Sequence, residues 1–173
     1  IKGYPLTKYL REISREKKIK QGVNSFLNSE FAPFSLKNNT LFSEEFDDLY
    51  SSSQGAVAEC NHVFIKGNNL KERFENLEEN SRFYIGEIGF GIGINFITTC
   101  MAWLNYVKQD QVLEFYSFDK YLFRLSDFRK LNDSYPELKE YIAELELNYP
   151  RNIKKKKKIP LFNGRIILNL IVG

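Results

Sequence analysis

The stretch Tyr84–Cys100, YIGEIGFGIGINFITTC, holds four of the chain's ten glycines, Gly86, Gly89, Gly91 and Gly93, within eight positions. Glycine has the most backbone freedom to lose, so a cluster of this density marks a turn that needs unusual angles or close approach to its main chain. The flanks say what the turn connects. Phe83–Ile88 is short and apolar, which predicts a strand. Phe96, Cys100, Trp103, Leu104 and Val107 recur at helical spacing, which predicts a helix over Asn95–Val107.

The segments that follow extend the alternation. Val112–Phe118 reads as a second strand, and Leu125–Asn132 and Pro136–Leu147 as helices. The second of these has Pro136 in its first turn, Leu138, Ile142 and Leu145 on one face, and Pro150 beyond its end. IPLFNGRIILNLIVG reads as a strand, an Asn163–Gly164 hairpin turn and a strand over Arg165–Val172. Strand, loop, helix, strand, helix, strand is the order of a doubly wound α/β sheet with right-handed crossovers.

The upstream residues are less regular. Thr7 can cap a helix running to about Lys20, whose thin stripe of Leu10, Ile13 and Ile19 suits an accessory element. Residues 21–40 are rich in Asn, Ser and Phe and read as loop or short strand. Phe42–Phe64 reads as short extended pieces broken at Ser51–Gly55, and Asn68–Leu77 as a short helix. The expected organisation is an N-terminal extension over residues 1–40 and an α/β domain over 41–173.

Composition narrows the class. A chain of 173 residues, 43% hydrophobic and 27% charged, can build one core, and a net charge of +3 does not by itself mark a nucleic-acid protein. Lys154–Lys158 is an unbroken basic run, read as a solvated loop, with a phosphate-contacting patch as the alternative. Cys60, Cys100 and His62 are the whole cysteine and histidine inventory, so no metal site and no disulfide framework is expected. That inventory suits a reducing cytoplasm. No run approaches the length of a membrane span, and no membrane partner is expected. His62, alone in an extended segment, reads as a packed structural residue; Glu59, charged in apolar surroundings, reads as paired.

The glycine turn opens a helix, and a helix N-terminus gathers unpaired N–H groups at the positive end of its dipole. Bare main chain there makes a cradle for a nucleotide-like ligand. The spacing is Gly89-x-Gly91-x-Gly93, with Ile94 where a dinucleotide fingerprint wants its last glycine. Glu87, just before the loop, would repel a pyrophosphate and can hold a cationic group. Asp119 ends the second strand in YSFDK, where a carboxylate can accept both hydroxyls of a ribose. A ribose acid and an acid-flanked glycine loop suit S-adenosylmethionine, which has a ribose, an adenine and a zwitterionic tail but no phosphate.

Four stretches occur in the order of a known family: FDDLYSSSQGAVAECNHVFIKGNNLKERF, IGEIGFGIGINF, YSFDK and YPELKEYIAELELNYP. They resemble the methyltransferase domain of the bifunctional tRNA wobble-uridine enzymes, over about Phe42 to Gly173. The resemblance implies a Rossmann-like S-adenosylmethionine-dependent methyltransferase fold. It also implies methyl transfer to the aminomethyl group of the tRNA wobble uridine, with tRNA as partner. Gly86, Glu87, Gly89, Phe90, Gly91 and Gly93 match the family's cofactor loop, Asn95 and Phe96 the helix start behind it. Asp119 and Lys120 match the ribose-binding segment. Asp47, Asp48 and Tyr50 match a segment expected near the cofactor or substrate mouth.

Many family members add an FAD-dependent domain, for which 173 residues leave no room, so the expected partner is such an oxidoreductase or the missing remainder of the domain. Relatives continue past the strand matching Arg165–Val172 into a segment carrying an acid that orients the amine. The expectation is therefore an incomplete fold, the N-terminal half of the sheet, holding the methyl donor without a catalytic acid, as a fragment or a decayed reading frame. Its last strand would present an apolar edge, and the isolated chain is expected to be poorly soluble or oligomeric. Two rivals remain at this point: an NAD-binding Rossmann domain, and a non-catalytic tRNA-binding remnant acting through Lys154–Lys158.

Overall fold

A computed structural model describes residues 34–37, 40–43, 48–49, 55–108, 110–150 and 155–173. The helix expected over Thr7–Lys20 lies outside them. Three short antiparallel strands come first: β1 (Phe34–Lys37), β2 (Thr40–Ser43) and β3 (Asp48–Leu49), in that order across a small sheet. Ser35 faces Phe42, which in turn faces Leu49.

The main sheet has four strands, β4 (Arg82–Ile88), β5 (Val112–Asp119), β6 (Lys156–Leu161) and β7 (Ile166–Val172), in the order β4-β5-β7-β6. β4, β5 and β7 run parallel, and β6 is antiparallel to β7. Alternation is clean in β4, where Phe83, Ile85 and Glu87 turn inward. Opposite them in β5 stand Leu113, Phe115 and Ser117, and beyond these Ile166, Leu168 and Leu170 of β7. Right-handed crossovers stepping in one direction, from β4 to β5 to β7, deliver their helices to one face of a sheet.

That face carries the core. Helix α1 (Ala56–Glu59) continues as a π-helical segment, Cys60–Lys66, and α2 is Leu70–Glu75. The glycine loop leads into α3 (Ile94–Tyr106). A 3₁₀ turn, Leu125–Asp127, opens α4 (Phe128–Ser134), and another, Pro136–Leu138, opens α5 (Lys139–Asn148). Phe74 of α2 meets Trp103 of α3 edge-on, with ring centroids 5.0 Å apart, and Phe83 of β4 at 5.1 Å. Phe96 of α3 meets Phe115 of β5 at 5.1 Å. Such offset contacts add to what burial of the rings alone supplies.

The opposite face is mixed. Tyr84, Ile88 and Phe118 are exposed on it, yet Glu114 is only 4% exposed. A buried carboxylate must be paired to be tolerated. Arg82 Nη1 donates to its Oε1 at 2.6 Å, Asn169 Nδ2 donates to its Oε2 at 2.9 Å, and Lys158 Nζ lies 3.6 Å away. One side chain thereby ties all four strands together.

Four expectations need correction. The segment read as extended up to Phe64 is helical from Ala56. Ala56, Cys60 and Ile65 are buried along it, the spacing of a helix and not of a strand. His62 is on this helical segment and exposed, not packed in a strand. The basic run is not all loop: Lys156, Lys157 and Lys158 form the first half of β6, and Lys154 lies outside the described residues. Finally, β7 is not an apolar edge, because β6 covers it and presents lysines and Pro160 outward, residues that discourage further strand pairing. The Asn163–Gly164 hairpin is as expected. Asn163 and Gly164 adopt φ of 56° and 82°, and Arg165 N–H donates to Phe162 O at 3.2 Å. No helix among the described residues is long and apolar enough to cross a membrane.

Candidate functional site

β4 ends at Ile88 and α3 begins at Ile94; the loop between them is built by hydrogen bonds to its neighbours. Gly89 N–H donates to Phe118 O at 2.7 Å, and Gly93 N–H to Phe90 O at 2.8 Å. Gly91 N–H donates to Asp119 Oδ2 at 2.8 Å. Gly89, Gly91 and Gly93 all have positive φ. The requirement is strictest at Gly93, with φ of 78°, where an added Cβ would stand 2.9 Å from the Phe90 ring. Phe90 is held there by rings on both sides, Phe96 at 6.2 Å and Phe123 at 6.0 Å.

Asp119 is anchored at the end of β5. Its Oδ1 accepts from Tyr121 N–H at 3.1 Å while Oδ2 takes the Gly91 N–H. A carboxylate oxygen has two lone pairs, so each retains one for a further donor such as a hydroxyl. Its neighbour Lys120 is exposed, with Nζ 4.9 Å from the Tyr121 ring centroid.

Glu87 lies on the core side of β4, only 9% exposed. Ser117, its register partner on β5, donates its hydroxyl to Oε1 at 2.7 Å. Oε2 has no hydrogen-bond partner among the described residues. Burial pushes the Glu87 carboxyl up to about 7, against the pull of the Ser117 and Asn95 side chains, and the Asp119 carboxylate adds to the rise.

A cavity of about 280 Å³ adjoins the loop, just under the usual range for small-molecule sites. One wall is Gly89, Phe90, Gly91, Ile92, Ile94 and Asn95; the other is Ala56, Glu59, Cys60, Val63 and Phe64 of the α1 and π-helical segment. Gly67 N–H donates to His62 O at 3.1 Å, the wider spacing of a π-helix, a form that recurs at functional sites. Burial pushes the Cys60 thiol up to about 11, with Glu87 and Glu59 adding to the rise and Thr98 opposing it. It is therefore a neutral lining group, not a nucleophile. Cys60 and Cys100 are both free, and no group of His, Cys, Asp or Glu among the described residues could hold a metal.

Of the loop residues singled out in the sequence, Gly89, Phe90, Gly91 and Asn95 line the cavity. Gly86 pairs with Tyr116 within the sheet, Gly93 caps α3, and Phe96 is buried against Phe115. Asp48 is in β3 opposite Ser43, while Asp47 and Tyr50 lie outside the described residues. Sequence reading missed Ser117 and, apart from Glu59, the second wall. Ser117 was legible as the one small hydroxyl residue in the strand FYSFD, and the wall as the helical spacing of Ala56, Cys60, Val63 and Phe64.

These features define an α/β protein with a mixed four-stranded sheet, compatible with a Rossmann-like fold, and a glycine loop between β4 and α3. No family model matches the chain. It is similar to curated proteins described as tRNA 5-methylaminomethyl-2-thiouridine biosynthesis bifunctional protein MnmC. The Hydrogenovibrio crunogenus protein is 39% identical over 153 residues, 84% of this chain and 23% of that protein. That of Marinobacter nauticus is 40% identical over 134 residues, 76% of this chain and 21% of that protein. For Legionella pneumophila the figures are 32% over 154 residues, 85% and 23%. The chain is thus homologous to a segment of the MnmC proteins and spans 21–23% of the length of these three relatives.

Proposed function

We propose that this chain binds S-adenosylmethionine at the glycine loop and serves methyl transfer to the aminomethyl group of the tRNA wobble uridine. The observation that carries the reading is the pairing of the Gly89–Asn95 cradle with a buried, half-satisfied carboxyl at Glu87. Glu87 suits the cationic end of such a ligand, and Asp119 its ribose, through the lone pairs that Gly91 and Tyr121 leave unused. The glycines admit it to bare main chain at the α3 N-terminus, where the helix dipole and free N–H groups favour polar atoms. Gly86, Gly93 and Phe96 shape the cradle from behind, and Lys120 flanks its ribose side.

When bound, S-adenosylmethionine supplies an electrophilic methyl group on sulfur. Transfer requires a neutral amine aligned behind that methyl, and alignment accounts for most of the effect. Asp47, Asp48 and Tyr50 are proposed on the substrate side, with the catalytic acid unassigned. The tRNA part of the reading rests on what the relatives' shared description says of them. A cytoplasmic location, and an FAD-dependent activity that prepares the uridine, belong to the same proposal. Against a dinucleotide stand Ile94 in place of the last fingerprint glycine and the acid at Glu87.

Calorimetric titration separates the two cofactors. S-adenosylhomocysteine should bind with measurable heat and NADH should not. Binding of NADH alone, or of neither ligand, overturns the cofactor reading.

A further inference from the structure

Glu87 and Ser117 make an arrangement that cofactor binding alone does not require. The Glu87 carboxyl is buried, one oxygen is held by the Ser117 hydroxyl at 2.7 Å, and the other has no partner among the described residues. The groups that bear on it are Ser117 and Asp119 from β5, Asn95 from the start of α3, and Cys60 from the facing wall, beside Glu59. Among these are two carboxylates and a neutral thiol. No lysine or arginine figures among them. Among the described residues an ionised Glu87 thus has no cation to compensate it, and burial without such a partner favours the protonated acid.

We propose that Glu87 and Ser117 form a proton-exchanging selector, in which a ligand cation entering the hollow displaces the proton of the Glu87 carboxyl. The O–H bond of the acid breaks, its electron pair stays on the carboxylate, and the proton passes to solvent. No redox partner is needed. Ser117 is a positioning residue: its hydroxyl fixes Oε1 and favours the charged form, leaving Oε2 to meet the cation. A neutral ligand of the same shape cannot displace the proton, so the pair discriminates by charge. The inference rests on the cofactor reading above and adds to it the charge selection and proton linkage of the same site.

The linkage has a definite sign. A ligand that requires the carboxylate binds more weakly as pH falls below the carboxyl's midpoint near 7, by roughly fivefold from pH 7 to pH 6, and levels off above it. The test is calorimetric titration of the full chain with S-adenosylmethionine and S-adenosylhomocysteine. Each is run at pH 6.0 and pH 8.5 in two buffers of unlike protonation enthalpy. The expected result is release of close to one proton per ligand at pH 6.0 and almost none at pH 8.5. Glu87→Gln should abolish the release and flatten the pH dependence.

A second readout does not depend on that variant folding. The carboxyl carbon resonance of Glu87, followed by NMR, should titrate near neutrality in the free protein and shift to lower pH on saturation. Ser117→Ala should move the free midpoint upward. If ligand binds at pH 6.0 with heat independent of buffer, the selector is wrong while the cofactor reading stands. If neither ligand binds at either pH, both fall.

Discussion

Glu87 and Gly93 show what single residues contribute around the loop. A carboxyl that ionises at 4.5 in an open chain and at about 7 when folded binds its proton more tightly in the folded state. The sign follows: the contribution of Glu87 to folding stability is fully present below pH 4.5 and is lost as pH rises through 7, by about 3 kcal/mol in all. Glu87→Gln removes that loss while keeping an acceptor for Ser117. Its thermal stability without ligand should match the wild type near pH 4.5 and exceed it by up to about 3 kcal/mol above pH 7. A binding acid here is held at a cost to stability. Gly93→Ala should do the reverse. It forces a side chain into the left-handed region and against the Phe90 ring 2.9 Å away, costing about 1–3 kcal/mol in denaturant melts.

Among the elements, α3 contributes most to holding the loop, because its inner face runs from Phe96 through Cys100 to Trp103, all buried. Trp103 is fully buried, edge-on to Phe74, and its Nε1 has no hydrogen-bond partner among the described residues. Two costs can therefore be separated. Trp103→Ala should destabilise by about 3–5 kcal/mol through the cavity it leaves. Trp103→Phe keeps an aromatic ring and deletes an unsatisfied donor, so it should cost less than about 2 kcal/mol in the same melts. Equal losses would mean that the indole nitrogen is satisfied in solution. The helical period of α3 was plain in the sequence. That of Ala56–Lys66 was harder to read, because the π-helical turn from Cys60 onward shifts the spacing away from the α-helical period.

Across the main sheet as a whole, the two faces differ in what they ask of solvent. The helices gather on one side, and the other keeps Tyr84, Ile88 and Phe118 exposed, Ile88 at 95%. Ile88→Lys should therefore leave the melting temperature nearly unchanged while reducing self-association in sedimentation velocity. A stability loss above about 1 kcal/mol would show that Ile88 is covered in solution. β6 already manages its own edge with lysines, so this apolar face is the more adhesive surface.

Local pattern alone determined the strand, glycine loop and helix of residues 82–106, the second strand, the two later helices and the Asn163–Gly164 hairpin. Each is a matter of period, turn chemistry or capping within a dozen residues. Tertiary structure decided what lies beside what. It placed β6 outside β7, turning a basic run into a protecting edge, and brought Ser117 to Glu87 across thirty residues of chain. It also set the Cys60 helix against the loop as the second cavity wall. Strand order and burial are set by summed packing between distant segments, and no short stretch of sequence contains that sum.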